Sequence, residues 1–159
     1  MQTFKKGEKI GKYVINSFIK KGVVAESYTV FGPDDMMYFM KIYDFDSIPR
    51  EQLFQGKEVY EIQLCKELSS DESENVVRYV DNGEIRKGET RYHYLVTVFY
   101  RGVSLLDAVK SEGPFDLEDA AQIILCVLGG LSFIHSRALI HNDIRPTNIL
   151  LQELDDGML

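Results

Sequence analysis

The sequence lacks an excess of positive charge. Its 159 residues hold 18 Lys and Arg against 25 Asp and Glu, a net charge of -7. Proteins bind duplex nucleic acid and anionic membranes through basic faces that displace counterions, so this balance argues against both as the main partner. The hydrophobic fraction of 45% is that of an ordinary globular domain that can bury a core.

Cysteine is scarce. The two cysteines, Cys65 and Cys126, are too few for a disulfide framework, and both lie in apolar helical patterns. We expect both to be small buried side chains, in a reducing, cytoplasmic setting.

A long uninterrupted apolar run is also missing. The first eight residues contain no apolar segment of signal-peptide length, and the longest apolar stretch, residues 120–134, is interrupted by one Gln, two Gly and one Ser. We therefore expect no membrane-spanning segment.

The first part of the chain has the composition of β-structure. Residues 13–41 are rich in Val, Ile, Tyr, Phe and Thr, with a break at residues 32–35, which predicts three antiparallel strands. Residues 52–68 change to an apolar period of three and four, which predicts an amphipathic helix. The runs at residues 76–85 and 92–100 predict a second hairpin. Together these segments predict a five-stranded antiparallel sheet with one main helix.

The second part is helical in character. Ser104 is a candidate N-cap for a short helix ending near Gly113, and Asp116 for a longer helix running to about Ser136. No repeat or Pro/Ser-rich linker separates the two parts. We therefore predict an α+β chain of two packed lobes, residues 1–100 and 101–159.

The most informative stretch is residues 139–151. In it, Asp143 precedes Asn148 by five residues in a loop between apolar anchors. This spacing can place a carboxylate beside a substrate hydroxyl and an amide oxygen beside a metal ion. The alternative is a polar turn whose Asp and Asn cap backbone amides.

This stretch resembles the catalytic loop H-R-D-L-K-P-x-N of the eukaryotic-type protein kinase family. The matching residues are His141-Asn142-Asp143-Ile144-Arg145-Pro146-Thr147-Asn148. The resemblance implies that Asp143 is the catalytic base or hydroxyl-orienting residue, that Arg145 takes the phosphate-contacting lysine position, and that Asn148 binds Mg²⁺. It also implies that His141 is a packing residue.

Two residues depart from the family pattern. Asn142 replaces the arginine that pairs with a phosphorylated activation loop in many members, which puts control by that route in doubt. Arg145 keeps the positive charge of the family lysine as a planar fork instead of a compact ammonium.

The upstream half resembles the small lobe of the same family. Lys41 ends a strand as the lysine of V-A-I-K does, although a solvated strand-edge lysine is the alternative. By the resemblance, Lys41 contacts the α- and β-phosphates, and Glu61 on the following helix is its preferred carboxylate partner. Glu58, on the same helix face, is the other candidate.

Two further segments match more weakly. In the position of the glycine-rich loop G-x-G-x-x-G-x-V, only Gly22 is retained, with Lys20 at the first glycine and Ala25 at the third. Residues 94–105 resemble the strand and hinge that hold adenine. That match makes Thr97 the gatekeeper and assigns the purine contacts to the backbone from Val98 to Tyr100.

The resemblance implies a Ser/Thr-type protein kinase that uses ATP and Mg²⁺ to phosphorylate a protein hydroxyl. Pro146 and the basic residue two after Asp143 favour Ser/Thr over Tyr. The residues present correspond to the small lobe with the first helices and catalytic loop of an incomplete, α-rich large lobe.

We interpret residues 155–157 as a hairpin turn instead of the family's D-F-G, because they follow Asn148 too closely. Without D-F-G we expect little or no activity from the 159 residues alone. We also expect an apolar helix face that a missing large-lobe segment or a partner would cover.

Two alternatives remain. A pseudokinase or ATP-binding regulatory module would explain the reduced glycine loop and Asn142, but retention of Lys41, Asp143 and Asn148 weighs against it. A small-molecule kinase of the aminoglycoside or choline phosphotransferase type shares His-x-Asp-x-x-x-x-Asn. Those enzymes usually carry a long insertion where only two helices fit between Gly102 and His141.

Overall fold

The computed structural model describes residues 2–69 and 73–152, so the predicted turn at residues 155–157 lies outside the described residues. The chain divides into two compact units. The first comprises residues 1–72 and 77–99, and the second comprises residues 73–76 and 100–159. Residues 73–76 fall in the range predicted for the first lobe but belong to the second unit.

The first unit is built on an antiparallel sheet. Its elements are β1 (Lys9–Ile10), β2 (Tyr13–Lys21), β3 (Ala25–Phe31), β4 (Met37–Asp44), β5 (Leu53–Phe54), β6 (Glu58–Val59), α1 (Tyr60–Leu68), β7 (Tyr79–Lys87) and β8 (Thr90–Val98). Six strands form the main sheet in the order β1-β2-β3-β4-β8-β7. The five predicted strands are present, and the two-residue β1 adds a short edge.

Helix α1 is shorter than predicted. The apolar period favoured a helix from residue 52, but Gln55 and Gly56 both adopt left-handed backbone conformations, with φ of 51° and 68°. The amide of Lys57 donates to the carbonyl of Phe54 at 3.1 Å, closing a tight turn between β5 and β6. Glycine takes this conformation without steric cost and is a poor helix former, so the turn replaces the first half of the predicted helix.

The sheet of the first unit separates two apolar clusters. Side chains alternate along β4, so Met40 and Ile42 face one cluster while Tyr43 faces the other. The first cluster contains Phe4, Ile10, Tyr13, Ile15, Tyr28, Val30, Met40, Ile42, Tyr94 and Val96. The second contains Tyr43, Phe45, Ile48, Val59, Ile62 and Leu95, and it attaches α1 to the sheet.

The second unit contains a small strand pair and two main helices. Its elements are β9 (Gly102–Ser104), α2 (Leu105–Glu112), α3 (Leu117–His135) and β10 (Leu150–Gln152). Both predicted N-caps are present: Ser104 Oγ accepts from the amide of Asp107 at 3.1 Å, and Asp116 Oδ1 accepts from that of Asp119 at 2.9 Å. Strand β10 pairs antiparallel with β9, which brings the chain after the catalytic-loop motif back to the start of α2.

Helix α3 exposes much of its apolar surface. Leu117 is 88% exposed, and Ile124, Leu125 and Leu128 are more than half exposed. Cys126 lies beside them and is exposed too, so the prediction that both cysteines are buried is wrong for Cys126, while Cys65 is partly buried. Helical period identifies an apolar side, but burial depends on what packs against it. By length and composition alone, α3 also qualifies as a helix that could cross a membrane.

Two adjacent glycines of α3 predict opposite responses to alanine. A Cβ on Gly130 would lie 2.9 Å from the carbonyl oxygen of Asn75, whereas a Cβ on Gly129 would meet only the amide end of the Asn75 side chain, also at 2.9 Å. A flexible side chain can move, but backbone cannot do so cheaply. We expect Gly130→Ala to lower the melting temperature, because overpacking reduces the free energy of unfolding by about 1–3 kcal/mol.

Gly129→Ala is the matched control for this prediction. It should be neutral or stabilising, since alanine gains up to about 1 kcal/mol over glycine inside a helix. Thermal unfolding followed by circular dichroism measures both variants. Equal melting temperatures for the two would show that Asn75 does not constrain α3.

Candidate functional site

An ion pair joins β4 to α1. Lys41 Nζ lies 2.5 Å from Glu61 Oε1, with the two side chains 34% and 45% exposed. Glu58, the other candidate partner, pairs instead with Lys66 at 2.7 Å. The preferred pairing of Lys41 with Glu61 is therefore the one that the structure contains.

A buried tyrosine also contacts Glu61. The hydroxyl of Tyr43 donates to Glu61 Oε2 at 2.9 Å, and Tyr43 is 1% exposed. Burial, with the nearby Glu61 charge, raises the pKa of this phenol well above 10, so it is a donor throughout the physiological range. The motif comparison missed Tyr43. Strand alternation could have identified it, because the side chain two residues after Lys41 lies on the same face of the sheet as Lys41.

The weakly matched glycine loop is a tight turn between β2 and β3. The amide of Gly22 donates to the carbonyl of Ala25 at 2.8 Å. At the base of the turn, Lys21 pairs with Glu26 at 3.2 Å. Val23 at the tip is fully exposed. Gly22 and Ala25 therefore define the ends of one compact backbone turn.

Glu26 anchors this turn to the N-terminal segment. The carboxylate is only 6% exposed and accepts from the amide and hydroxyl of Thr3, at 2.9 and 3.1 Å, and from the hydroxyl of Tyr28. Burial raises the pKa of Glu26, but the hydrogen bonds from Tyr28, Thr3 and Lys21 outweigh it and leave the pKa below 4.5. The group is thus ionised at neutral pH.

The predicted adenine-binding strand ends at Val98. Thr97, the expected gatekeeper, is buried on β8 opposite Phe39 of β4. The amide of Val98 donates to the carbonyl of Arg78 at 2.9 Å, so this N–H is already used within the first unit. Tyr100 begins the second unit and is partly buried.

The second unit brings Asp143, Arg145 and Asn148 together. Asn148 Nδ2 donates to Asp143 Oδ2 at 2.7 Å and to the Asp143 carbonyl at 3.0 Å. Arg145 Nη1 lies 3.8 Å from Asp143 Oδ1. The carboxylate of Asp143 is 61% exposed. A solvent-facing carboxylate held by neighbours on its own loop is open to a second molecule.

The role expected for His141 is wrong. The resemblance implied a packing residue, but His141 is exposed, and its Nδ1 accepts from the amide of Asp143 at 3.3 Å. Between them, Asn142 has a left-handed backbone with φ of 61°, which asparagine tolerates better than most residues. His141 therefore contributes to the shape of the loop instead of the core.

The end of the loop is fixed to α2 and β9. Residues Pro146–Asn148 form a single 3₁₀ turn, and the amide of Leu105 donates to the carbonyl of Ile149 at 2.9 Å. Among residues 2–69 and 73–152, no three His, Cys, Asp or Glu side chains cluster as a metal site. Any metal bound near Asp143 would also need ligands of another type, such as the amide of Asn148.

Comparison with known proteins identifies similar sequences. The family described as Protein kinase domain matches residues 13–159. The probable serine/threonine-protein kinase PknB of Bifidobacterium longum is 27% identical over 149 residues, which cover 90% of this chain and 21% of the relative. Calcium/calmodulin-dependent protein kinase type 1 of Caenorhabditis elegans is 25% identical over 147 residues, covering 91% of this chain and 39% of the relative. The chain thus spans well under half the length of these two relatives.

A solved structure gives the same fold. The kinase domain of Mycobacterium tuberculosis PknI matches with a TM-score of 0.76 at 17% identity, covering 96% of this chain and 60% of that chain. The expected fold, α+β and kinase-like with an antiparallel small lobe, is therefore confirmed. Because the match covers 96% of this chain, the few residues outside it cannot include all 19 residues of α3. This favours a helix of the domain over a membrane-crossing one.

The buried carboxylate of Glu26 predicts acid sensitivity. Because its folded-state pKa lies below 4.5, its contribution to stability is present above that value and lost as pH falls through the folded-state pKa. We expect Glu26→Gln to lower stability at pH 7 by about 2 kcal/mol, since charge-assisted hydrogen bonds are lost. The variant should also show a weaker decline in melting temperature between about pH 6 and pH 3.

The control is Glu89→Gln, at an exposed position in the turn between β7 and β8. It should behave like the parent chain at every pH. A Glu26→Gln variant with the same acid profile as the parent would show that Glu26 does not contribute to the pH dependence.

Proposed function

This chain belongs to the protein kinase domain family, and we propose that it is the part of a Ser/Thr-type protein kinase that binds ATP and carries the residues that accept and orient the substrate hydroxyl. The observation that carries the proposal is the Lys41–Glu61 ion pair at 2.5 Å. A phosphate-binding lysine must be oriented toward the phosphates, and a carboxylate on the neighbouring helix helps to orient its ammonium.

We assign nucleotide binding to residues of the first unit. Lys41 supplies a compact positive charge for the α- and β-phosphates, with Glu61 as its positioning partner. The turn from Gly22 to Ala25 lies next to the phosphates in this assignment. Because the amide of Gly22 is used by Ala25 at 2.8 Å and Lys21 pairs with Glu26, the side-chain charge of Lys20 takes a larger share of phosphate binding.

Adenine binding is assigned to the hinge. Thr97 lies at the gatekeeper position, and the Val98 carbonyl is the proposed acceptor for the purine amino group. Since the Val98 amide already donates to Arg78, the N–H offered to the purine ring comes from Tyr100. This assignment follows the backbone contacts expected for the strand that ends at Val98.

The transfer chemistry is assigned to the loop of the second unit. Asp143 accepts the hydrogen bond of the substrate hydroxyl and orients it for attack on the γ-phosphorus of ATP. Arg145 offers its guanidinium to the transferred phosphoryl group. Asn148 presents an amide oxygen, a ligand type that Mg²⁺ takes, and Mg²⁺ bound there would neutralise phosphate charge.

The hydroxyl substrate is proposed to be a protein Ser or Thr. Similarity to the probable serine/threonine-protein kinase PknB and to calcium/calmodulin-dependent protein kinase type 1 supports a protein kinase of this class, as do Arg145 and Pro146 by resemblance. The exposed face of α3 is proposed to be covered by further kinase-domain residues or by a partner, because Leu117 and Leu125 would otherwise remain in water.

A regulatory, nucleotide-binding role is the second candidate. The engaged amide of Gly22 and Asn142 in place of the family arginine favour it. The two candidates share the nucleotide site and differ in phosphoryl transfer.

Nucleotide binding can be tested with a matched pair of lysine variants. We expect Mg²⁺-ADP to raise the melting temperature of the chain and Lys41→Ala to weaken its affinity about tenfold or more, because a charge-assisted contact is lost. Isothermal titration calorimetry measures the affinity. Lys66→Ala is the control, since it removes a similar ion pair, with Glu58 at 2.7 Å.

Lys66→Ala should bind Mg²⁺-ADP like the parent chain. Absence of any nucleotide binding by the parent would contradict the proposed function. Equal losses in both variants would show that the effect comes from general destabilisation instead of from Lys41.

Phosphoryl transfer can be tested separately. We expect the 159-residue chain, given Mg²⁺-ATP and a generic protein substrate, to incorporate no more phosphate than its Asp143→Asn variant, because no D-F-G aspartate is present. Radiolabelled phosphate incorporation measures this. Activity in the parent that disappears in Asp143→Asn would overturn the expectation of an inactive chain and would favour the kinase over the regulatory module.

A further inference from the structure

We propose that Tyr43 is a positioning residue that holds Glu61 in its pairing geometry with Lys41. The consequence for nucleotide affinity rests on the proposed function, whereas the effect on α1 itself does not. The supporting geometry is a carboxylate contacted at both oxygens from one strand: Lys41 at Oε1, 2.5 Å away, and Tyr43 at Oε2, 2.9 Å away.

The ion pair alone is a weak restraint. Lys41 and Glu61 are 34% and 45% exposed, and pairs as accessible as this contribute little because water and salt screen them. Both side chains are also long, so holding them in a single geometry costs rotamer entropy. A second contact is needed to fix the direction of the Glu61 carboxylate.

Tyr43 supplies that contact from a rigid position. Its ring is 1% exposed and lies in the cluster formed with Val59, Ile62 and Leu95. A tyrosine has two side-chain torsions, and close packing restricts both. Its hydroxyl is therefore a donor fixed in direction, unlike the flexible ammonium of Lys41.

The contact falls at the start of α1, which packs on the sheet through Ile62 but has no side-chain cap. The N-cap residue is Val59, whose side chain has no polar atom and cannot cap the helix. Glu61 lies in the first turn. By holding Glu61, Tyr43 also fixes the first turn of α1 against β4.

The test is Tyr43→Phe, which keeps the ring and removes only the hydroxyl. The matched control is Tyr13→Phe. Tyr13 is also 1% exposed, and its hydroxyl donates to a carboxylate, Asp81 Oδ2, at 3.0 Å, away from Lys41. Hydrogen–deuterium exchange without nucleotide and Mg²⁺-ADP affinity by calorimetry are measured for both variants.

We expect Tyr43→Phe to speed amide exchange in residues 60–68 without a matching increase in β3, and to weaken Mg²⁺-ADP binding about fivefold. Tyr13→Phe should change neither the α1 exchange nor the affinity. In a Glu61→Ala background, Tyr43→Phe should cause no further loss of affinity, because its effect passes through Glu61.

Unchanged α1 exchange in Tyr43→Phe would overturn the proposal, as would a loss of affinity that persists at full size without Glu61. If the parent chain does not bind Mg²⁺-ADP at all, the proposed function fails instead. In that case the exchange of residues 60–68, compared with the Tyr13→Phe control, still decides whether Tyr43 positions Glu61.

Discussion

Side-chain alternation along β4 is the constraint on which the first unit depends. The strand lies between β3 and β8 and is bonded on both sides, so its register is fixed by two ladders. Met40 and Ile42 then belong to one apolar cluster, while Lys41 and Tyr43 face α1. A slip of one residue would turn Lys41 into the first cluster and move Met40 and Ile42 to the face that packs on α1.

Glu26 and Glu61 are two hydrogen-bonded carboxylates of the first unit that differ in burial. Glu26 is nearly enclosed, at 6% exposed, and donors from Thr3, Tyr28 and Lys21 stabilise its charge. Such a carboxylate suits a structural role, because breaking its hydrogen bonds would leave a buried charge without partners and cost much stability. Glu61 is 45% exposed. Its ion pair with Lys41 is open to solvent, and the buried Tyr43 contacts its other oxygen through a hydroxyl.

The features of the fold that depend on short-range patterns can be predicted from the sequence. The strands, both helix caps and the partner of Lys41 follow from alternation, capping chemistry and motif spacing, and all are found. The start of α1 was missed because Gln55 and Gly56 form a left-handed turn inside an apolar period. The exposure of Cys126 was missed because periodicity identifies a face but not its covering. The hydroxyl of Tyr43 was missed because the family motif names only the lysine.

The orientation of Asn148 follows from the acceptors around it. Both partners of its Nδ2, the carboxylate and carbonyl of Asp143, can only accept hydrogen bonds, so the NH₂ end must face Asp143. In a planar carboxamide the oxygen then points away from that carboxylate. In the proposed roles, the contact that would orient Asp143 toward a hydroxyl therefore leaves the Asn148 oxygen facing another direction, where a cation could reach it. Substituting aspartate at this position would replace a donor by an acceptor and bring two like charges together, so both assigned roles depend on the amide.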